Sequence, residues 1–119
     1  MRRLPEDVKQ VALWTAKGYQ RRVKEYHGDG RRGGRRMDKK TRAREFERLE
    51  AVEQAMVAIG ADIEAEEVRA ALREAILLNI ESGRRWPYER LNLPGVTRSD
   101  FYRRKDAFLE AIAVRLGLV

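Results

Sequence analysis

The spacing of apolar residues, three and four apart and never alternating for long, restricts this chain more than any other feature. Between Asp38 and Gly60, the residues Ala43, Phe46, Leu49, Val52, Met56 and Ile59 share one side of a helical wheel. Between Asp62 and Gly83, Val68, Leu72, Ala75, Ile76 and Ile80 do the same. A half-buried strand would need a period of two, and no segment keeps that period long enough for a sheet. No repeat of fixed length recurs either. The pattern predicts a small all-α domain of about five helices, with the outline of a C-terminal helix-turn-helix.

Capping and breaking residues divide the chain. Pro5, followed by Glu6 and Asp7, suits a helix first turn, and an N-terminal helix is expected over residues 1–26, marked by Val8, Val11, Ala12, Tyr19, Val23 and Tyr26. Gly18 interrupts it at a cost of about 1 kcal/mol relative to alanine, so a kink or break is expected there. Residues 27–37 include "HGDGRRGGRR", whose glycines and like charges predict a flexible loop. Asp38 is an expected N-cap and Gly60 an expected stop. Asp62 is the expected cap of the next helix, with Glu64, Glu66 and Glu67 loading its start and Ser82 and Gly83 closing it. The short connection between these two helices favours an acidic antiparallel hairpin over 38–83. Residues 84–119 then supply a short helix from Pro87 to Asn92, a break at "LPGV", and a terminal helix. Thr97 caps that helix, Asp100 follows three residues on, and Phe101, Phe108, Leu109, Ile112 and Leu116 face inward.

With 119 residues, one domain is the simplest organisation. The absence of cysteine excludes disulfides and thiol chemistry and suits a reducing compartment. The longest apolar-rich run, Ala75 to Ile80, is far short of the roughly 20 residues that cross a bilayer. The opening "MRRLPEDVKQ" lacks the apolar segment of a secretory signal, and a soluble cytosolic protein without a membrane partner is expected. Charge points to a polyanion: 26 Lys and Arg face 19 Asp and Glu, for a net +7. Residues 1–44 carry 15 basic and 5 acidic side chains, 45–83 carry 3 and 10, and 84–119 carry 8 and 4. Two basic ends therefore flank an acidic middle.

Catalytic signals are thin. His27 reads as a helix-end surface residue, and Asp62, Glu64, Glu66 and Glu67 as helix-start charges and a solvated face. No nucleophile motif, phosphate loop or nucleotide fingerprint occurs, so neither an enzyme nor a cofactor or metal is expected.

The segment "LPGVTRSDFYRR" carries the sharpest functional pattern. In a helix-turn-helix the start of the second helix enters the major groove, and removal of the core positions leaves Arg98, Ser99, Tyr102 and Arg103 outward, Asp106 beside them. Arginine grips guanine bidentately, while Thr97, Ser99 and Tyr102 donate to phosphates or bases. With Arg104 and the preceding Arg84 and Arg85, these are the candidate contacts to double-stranded DNA. Arg31, Arg32, Arg35 and Arg36 in the glycine-rich loop suit a phosphate backbone or a minor groove. The bland alternatives are a solvated, salt-bridged terminal helix and a plain linker. Two details fit the motif poorly: the first helix is short, and Arg90 and Leu91 stand where it usually wants an apolar and a small residue. Helices of this size bury limited surface, so a homodimer is expected.

The order of segments also resembles a known family. "GYQRRVKEY", a polar glycine-rich loop, "REFERLEAVEQAMVAI", "AALREAILLNIESGRRW" and "TRSDFYRRKDAFLEAIAVRLGL" together resemble the RinA and ArpU-like transcriptional regulators of bacteriophages and prophages, over nearly the whole chain. The resemblance implies a small all-helical regulator, similar to the DNA-binding region of sigma factors, that activates late or packaging genes at the nucleoid of a bacterial host. By position, its recognition helix would be residues 97–105, with Arg98, Ser99, Tyr102 and Arg103 at the DNA. The acidic hairpin would then be a candidate surface for host RNA polymerase or a second subunit. This sequence departs from the family in its longer "WPYERLNLPGV" approach and its arginine-loaded loop. Two other readings compete: a phage small terminase subunit, which would bind a packaging site as a ring, and a protein-binding adaptor or inhibitor without DNA binding.

Overall fold

Residues 4–27 and 38–119 are described by the computed structural model, and they form six α-helices with no strand among them. The all-α expectation holds. The N-terminal helix is broken where Gly18 predicted a kink or break: α1 (Glu6–Ala16) and α2 (Tyr19–His27) are separate. The break lies at Lys17, which is extended, and Gly18, whose φ of +82° is left-handed and strained for any residue with a Cβ. The Gly18 N–H donates to the Glu81 carboxylate, which fixes the corner to the end of α4 (Glu66–Glu81).

α3 (Lys39–Ala58) starts on Asp38, whose carboxylate accepts from the Thr41 N–H at 2.7 Å. It stops at Gly60, with φ +72°. α4 begins at Glu66 on Ala65, which provides no side-chain cap. The expectation that Asp62 caps this helix is corrected: Asp62 lies outside it and is bound elsewhere, as described below. A single turn, α5 (Tyr88–Leu91), and the long α6 (Arg98–Arg115) complete the chain. Thr97 Oγ1 accepts from the Asp100 N–H at 3.1 Å, as its position implied. At the far end Gly117, with φ +74°, allows the Leu118 N–H to reach the Ala113 carbonyl at 2.9 Å.

α6 is the centre of the fold. Phe101, Phe108, Leu109, Ile112 and Ala113 are all buried, so its apolar arc is wide enough to meet several neighbours at once. Its closest partners are α1 and α3, and α2 lies on the other flank of α3. Ala12 and Ala16 of α1, Val52, Ala55 and Ile59 near the end of α3, and Leu72, Ala75, Ile76 and Ile80 of α4 complete one core. The α3–α4 hairpin is therefore not the main pairing. α4 instead meets the end of α3, where Arg73 donates to the Val57 and Ile59 carbonyls at 2.9 and 3.2 Å and satisfies groups a helix terminus leaves open.

Phe46, expected on the core side, is about half exposed (51%). α2 packs beside α3 here and offers Tyr26, whose ring centroid lies 6.3 Å from that of Phe46, rather than a deep core. Further along the same flank, Arg22 is buried and stacks 3.9 Å over the exposed Trp14 ring. Burial disfavours its charged form, which lowers its pKa, and one guanidinium nitrogen, Nη1, makes no hydrogen bond.

Candidate nucleic-acid interface

The site is built at the corner where α4 ends, α5 makes its turn and α6 begins. Ser82 ends α4 in extended conformation, and the next residues form a tight turn in which the Trp86 N–H donates to the Ser82 carbonyl at 2.8 Å. Arg84 and Arg85 project from this turn, exposed, and among the described residues neither has an acidic partner. Arg90 of α5 lies 5.5 Å over the Trp86 ring and donates to the Arg85 carbonyl at 3.1 Å. Glu89, also on α5, accepts from Arg98 of α6 at 3.1 Å. α5 thus links the arginine turn to the start of α6.

Asn92, with φ +50°, and the Leu93 to Val96 stretch carry the chain back. The Tyr88 hydroxyl donates to the Val96 carbonyl and closes this loop, while Val96 itself is buried. The first helix of the expected helix-turn-helix is therefore only four residues long. It is too short to cross a DNA backbone as the first helix of that motif does, so the motif reduces to a capped terminal helix with an elaborate approach.

On α6 the expected contacts divide. Arg98, Ser99 and Arg103 are exposed on its first turns. Arg98 lies 5.1 Å over the Tyr102 ring, and Arg103 is ion-paired to Asp100 in its own helix. Thr97 is committed as the helix cap. Tyr102, expected outward, is half-buried against Phe101, with ring centroids 5.2 Å apart, and has Lys105 Nζ 5.8 Å over its face. Arg104, also expected at DNA, is turned inward. Its terminal nitrogens hold both Asp62 oxygens at 2.8 Å, and its Nε holds Asp100 at 2.9 Å, with the side chain only 15% exposed. A guanidinium facing two carboxylates is already satisfied, so Arg104 is a structural clamp between α6 and the α3–α4 connection. Arg31, Arg32, Arg35 and Arg36 lie outside the described residues.

The clamp has a pH signature. Hydrogen bonds from Arg104 hold the Asp62 carboxyl down at about 2, and hydrogen bonds from Arg104 and Arg103 lower that of Asp100, while the pKa of Arg104 is raised. A depressed folded-state pKa stabilises the fold above the unfolded value near 4, and that contribution disappears as pH falls toward 2. Acid titration of stability should therefore show a loss between about pH 4 and pH 2 that is much reduced in Arg104→Met.

Two residues that set this corner were not anticipated. Asn79, buried on α4, donates to the Trp86 carbonyl at 2.9 Å and accepts from Lys105 Nζ at 2.7 Å. The half-buried Lys105 has its pKa lowered by that burial. Both carried a sequence signal, since a polar residue stands at a core position of each helix, at the spacing of Leu72, Ile76 and Ile80 and of Phe101, Phe108 and Ile112. The Asp62–Arg104 pair, 42 residues apart, carried none. No helix of the described residues is long and apolar enough to cross a membrane. No protein-family model, curated protein or solved structure matches this chain, so the reading of its function rests on the residues of this corner and on the sequence.

Proposed function

We propose that the protein is a sequence-specific regulator that binds double-stranded DNA through the corner formed by the α4–α5 turn and the start of α6. The observation that carries this reading is the juxtaposition of two kinds of arginine. Arg84 and Arg85 are exposed and have no acidic partner among the described residues, as backbone contacts require, while Arg98 and Arg103 flank Ser99 on the first turns of a capped helix, as base contacts require. The net charge of +7 supports attraction to a polyanion. Phage or prophage origin, activation of late genes and contact with host RNA polymerase rest on the sequence resemblance alone, and the homodimer on the general habit of such regulators.

Fragments selected from a genomic library supply the specific duplex for the test. Arg84→Ala should weaken binding to selected and random duplexes alike, whereas Arg103→Ala should weaken the selected duplex by about 1 to 3 kcal/mol and the random one much less. Equal loss on both duplexes for Arg103→Ala contradicts base readout. The competing adaptor reading is favoured by one feature, the carboxylates already paired to Arg98, Arg103 and Arg104. Absence of binding to any duplex at low salt would favour it.

A further inference from the structure

Glu89 stands among cations on a surface otherwise suited to phosphate. It is exposed, and it is the one acidic residue on α5, with Arg90 next to it, Arg85 tied to Arg90, and Arg98 on its own carboxylate at 3.1 Å. Both partners of the pair are well exposed, at 67% and 62%, so it contributes little to folding and can be removed without disturbing the core. A carboxylate at such a place competes with the phosphates of a duplex for the Arg98 guanidinium. Specificity is a difference of affinities, and a repulsive element raises it by penalising the wrong partner more than the right one.

Building on the DNA-binding reading, we infer that Glu89 is a specificity-determining residue: its ion pair withholds Arg98 from phosphate, and a base edge offering two acceptors displaces it. On random DNA the arginine stays with Glu89, and on a cognate site it is released to the base. Asp100 holds Arg103 in a similar pair, but it also holds Arg104 and so cannot be removed without disturbing the clamp. Glu89 is the separable member of the device.

The test uses the full chain with Glu89→Gln, a random duplex and a selected one. Glu110→Gln, which changes the net charge equally but lies in the second half of α6, is the control. Glu89→Gln should tighten random-duplex binding about 3- to 10-fold and the selected duplex less, lowering the ratio of the two affinities. In an Arg98→Ala background the gain should shrink to less than about 2-fold, because the residue acts through Arg98. An unchanged random-duplex affinity overturns the inference, as does the same gain in Glu110→Gln or in the Arg98→Ala background. If wild type binds no duplex at all, the DNA-binding reading fails and the inference fails with it.

Discussion

Phe101→Ala should remove about 3 to 5 kcal/mol of unfolding free energy, the range for a fully buried phenylalanine whose cavity cannot collapse. Phe101 has no exposed surface, and its ring lies 5.6 Å from that of Tyr88 and 5.2 Å from that of Tyr102, centroid to centroid. It sits one turn inside the Thr97 cap, so it anchors the end of α6 that presents Arg98 and Arg103. Domains of this size are commonly stable by only about 5 to 15 kcal/mol, and the loss is therefore a large share of the total. Urea unfolding followed by circular dichroism measures it. Phe46→Ala provides the contrast, since a half-exposed ring should cost less than about 1.5 kcal/mol. Similar losses for the two variants would contradict the placement of α6 at the centre of the core.

The second large effect is expected at Asn79. Asn79→Ala removes the donor to the Trp86 carbonyl and the acceptor of Lys105, and leaves a half-buried ammonium without its partner. Leaving fully buried polar groups unsatisfied costs about 1 to 3 kcal/mol each, and Trp86 and Lys105 are only half-buried, so a total near 2 to 4 kcal/mol is expected. The same change frees the arginine turn from α6, so DNA affinity should fall even at temperatures where circular dichroism shows the helices intact. Asn79→Asp keeps an acceptor for Lys105 and loses the donor to Trp86. It should restore part of the stability while leaving the turn loose. Unchanged stability in Asn79→Ala would show that this amide does not tie α4, the turn and α6 together.

Helix identity was legible in the sequence because local chemistry decides it. Asp38, Thr97 and Gly60 act on the few residues beside them, and the structure uses each as its position implied. Pairing between helices was not legible in the same way. The short α3–α4 connection suggested a hairpin, but α6, not α4, is the helix packed along α3. For the candidate site, exposure followed from helical phase for Arg98, Ser99 and Arg103. Phase failed for Arg104, whose outward or inward placement depended on Asp62, a partner that only the fold brings close. Tyr102 failed for a related reason: a ring adjacent to a buried phenylalanine folds down against it and lies under the cationic ends of Arg98 and Lys105.

The most direct test of the central claim is the salt dependence of binding between the full chain and a labelled duplex of about 20 base pairs, one that spans roughly two turns. Engagement of phosphates by Arg84 and Arg85, beside base contacts from Arg98 and Arg103, predicts that the logarithm of the association constant falls linearly with that of salt concentration between about 50 and 200 mM, with a slope of about −2 or steeper. The slope should become shallower by about 2 in the Arg84→Ala, Arg85→Ala double variant, through loss of two phosphate contacts. No binding at the lowest salt, or a slope indifferent to that double variant, would contradict the assignment of this corner to DNA.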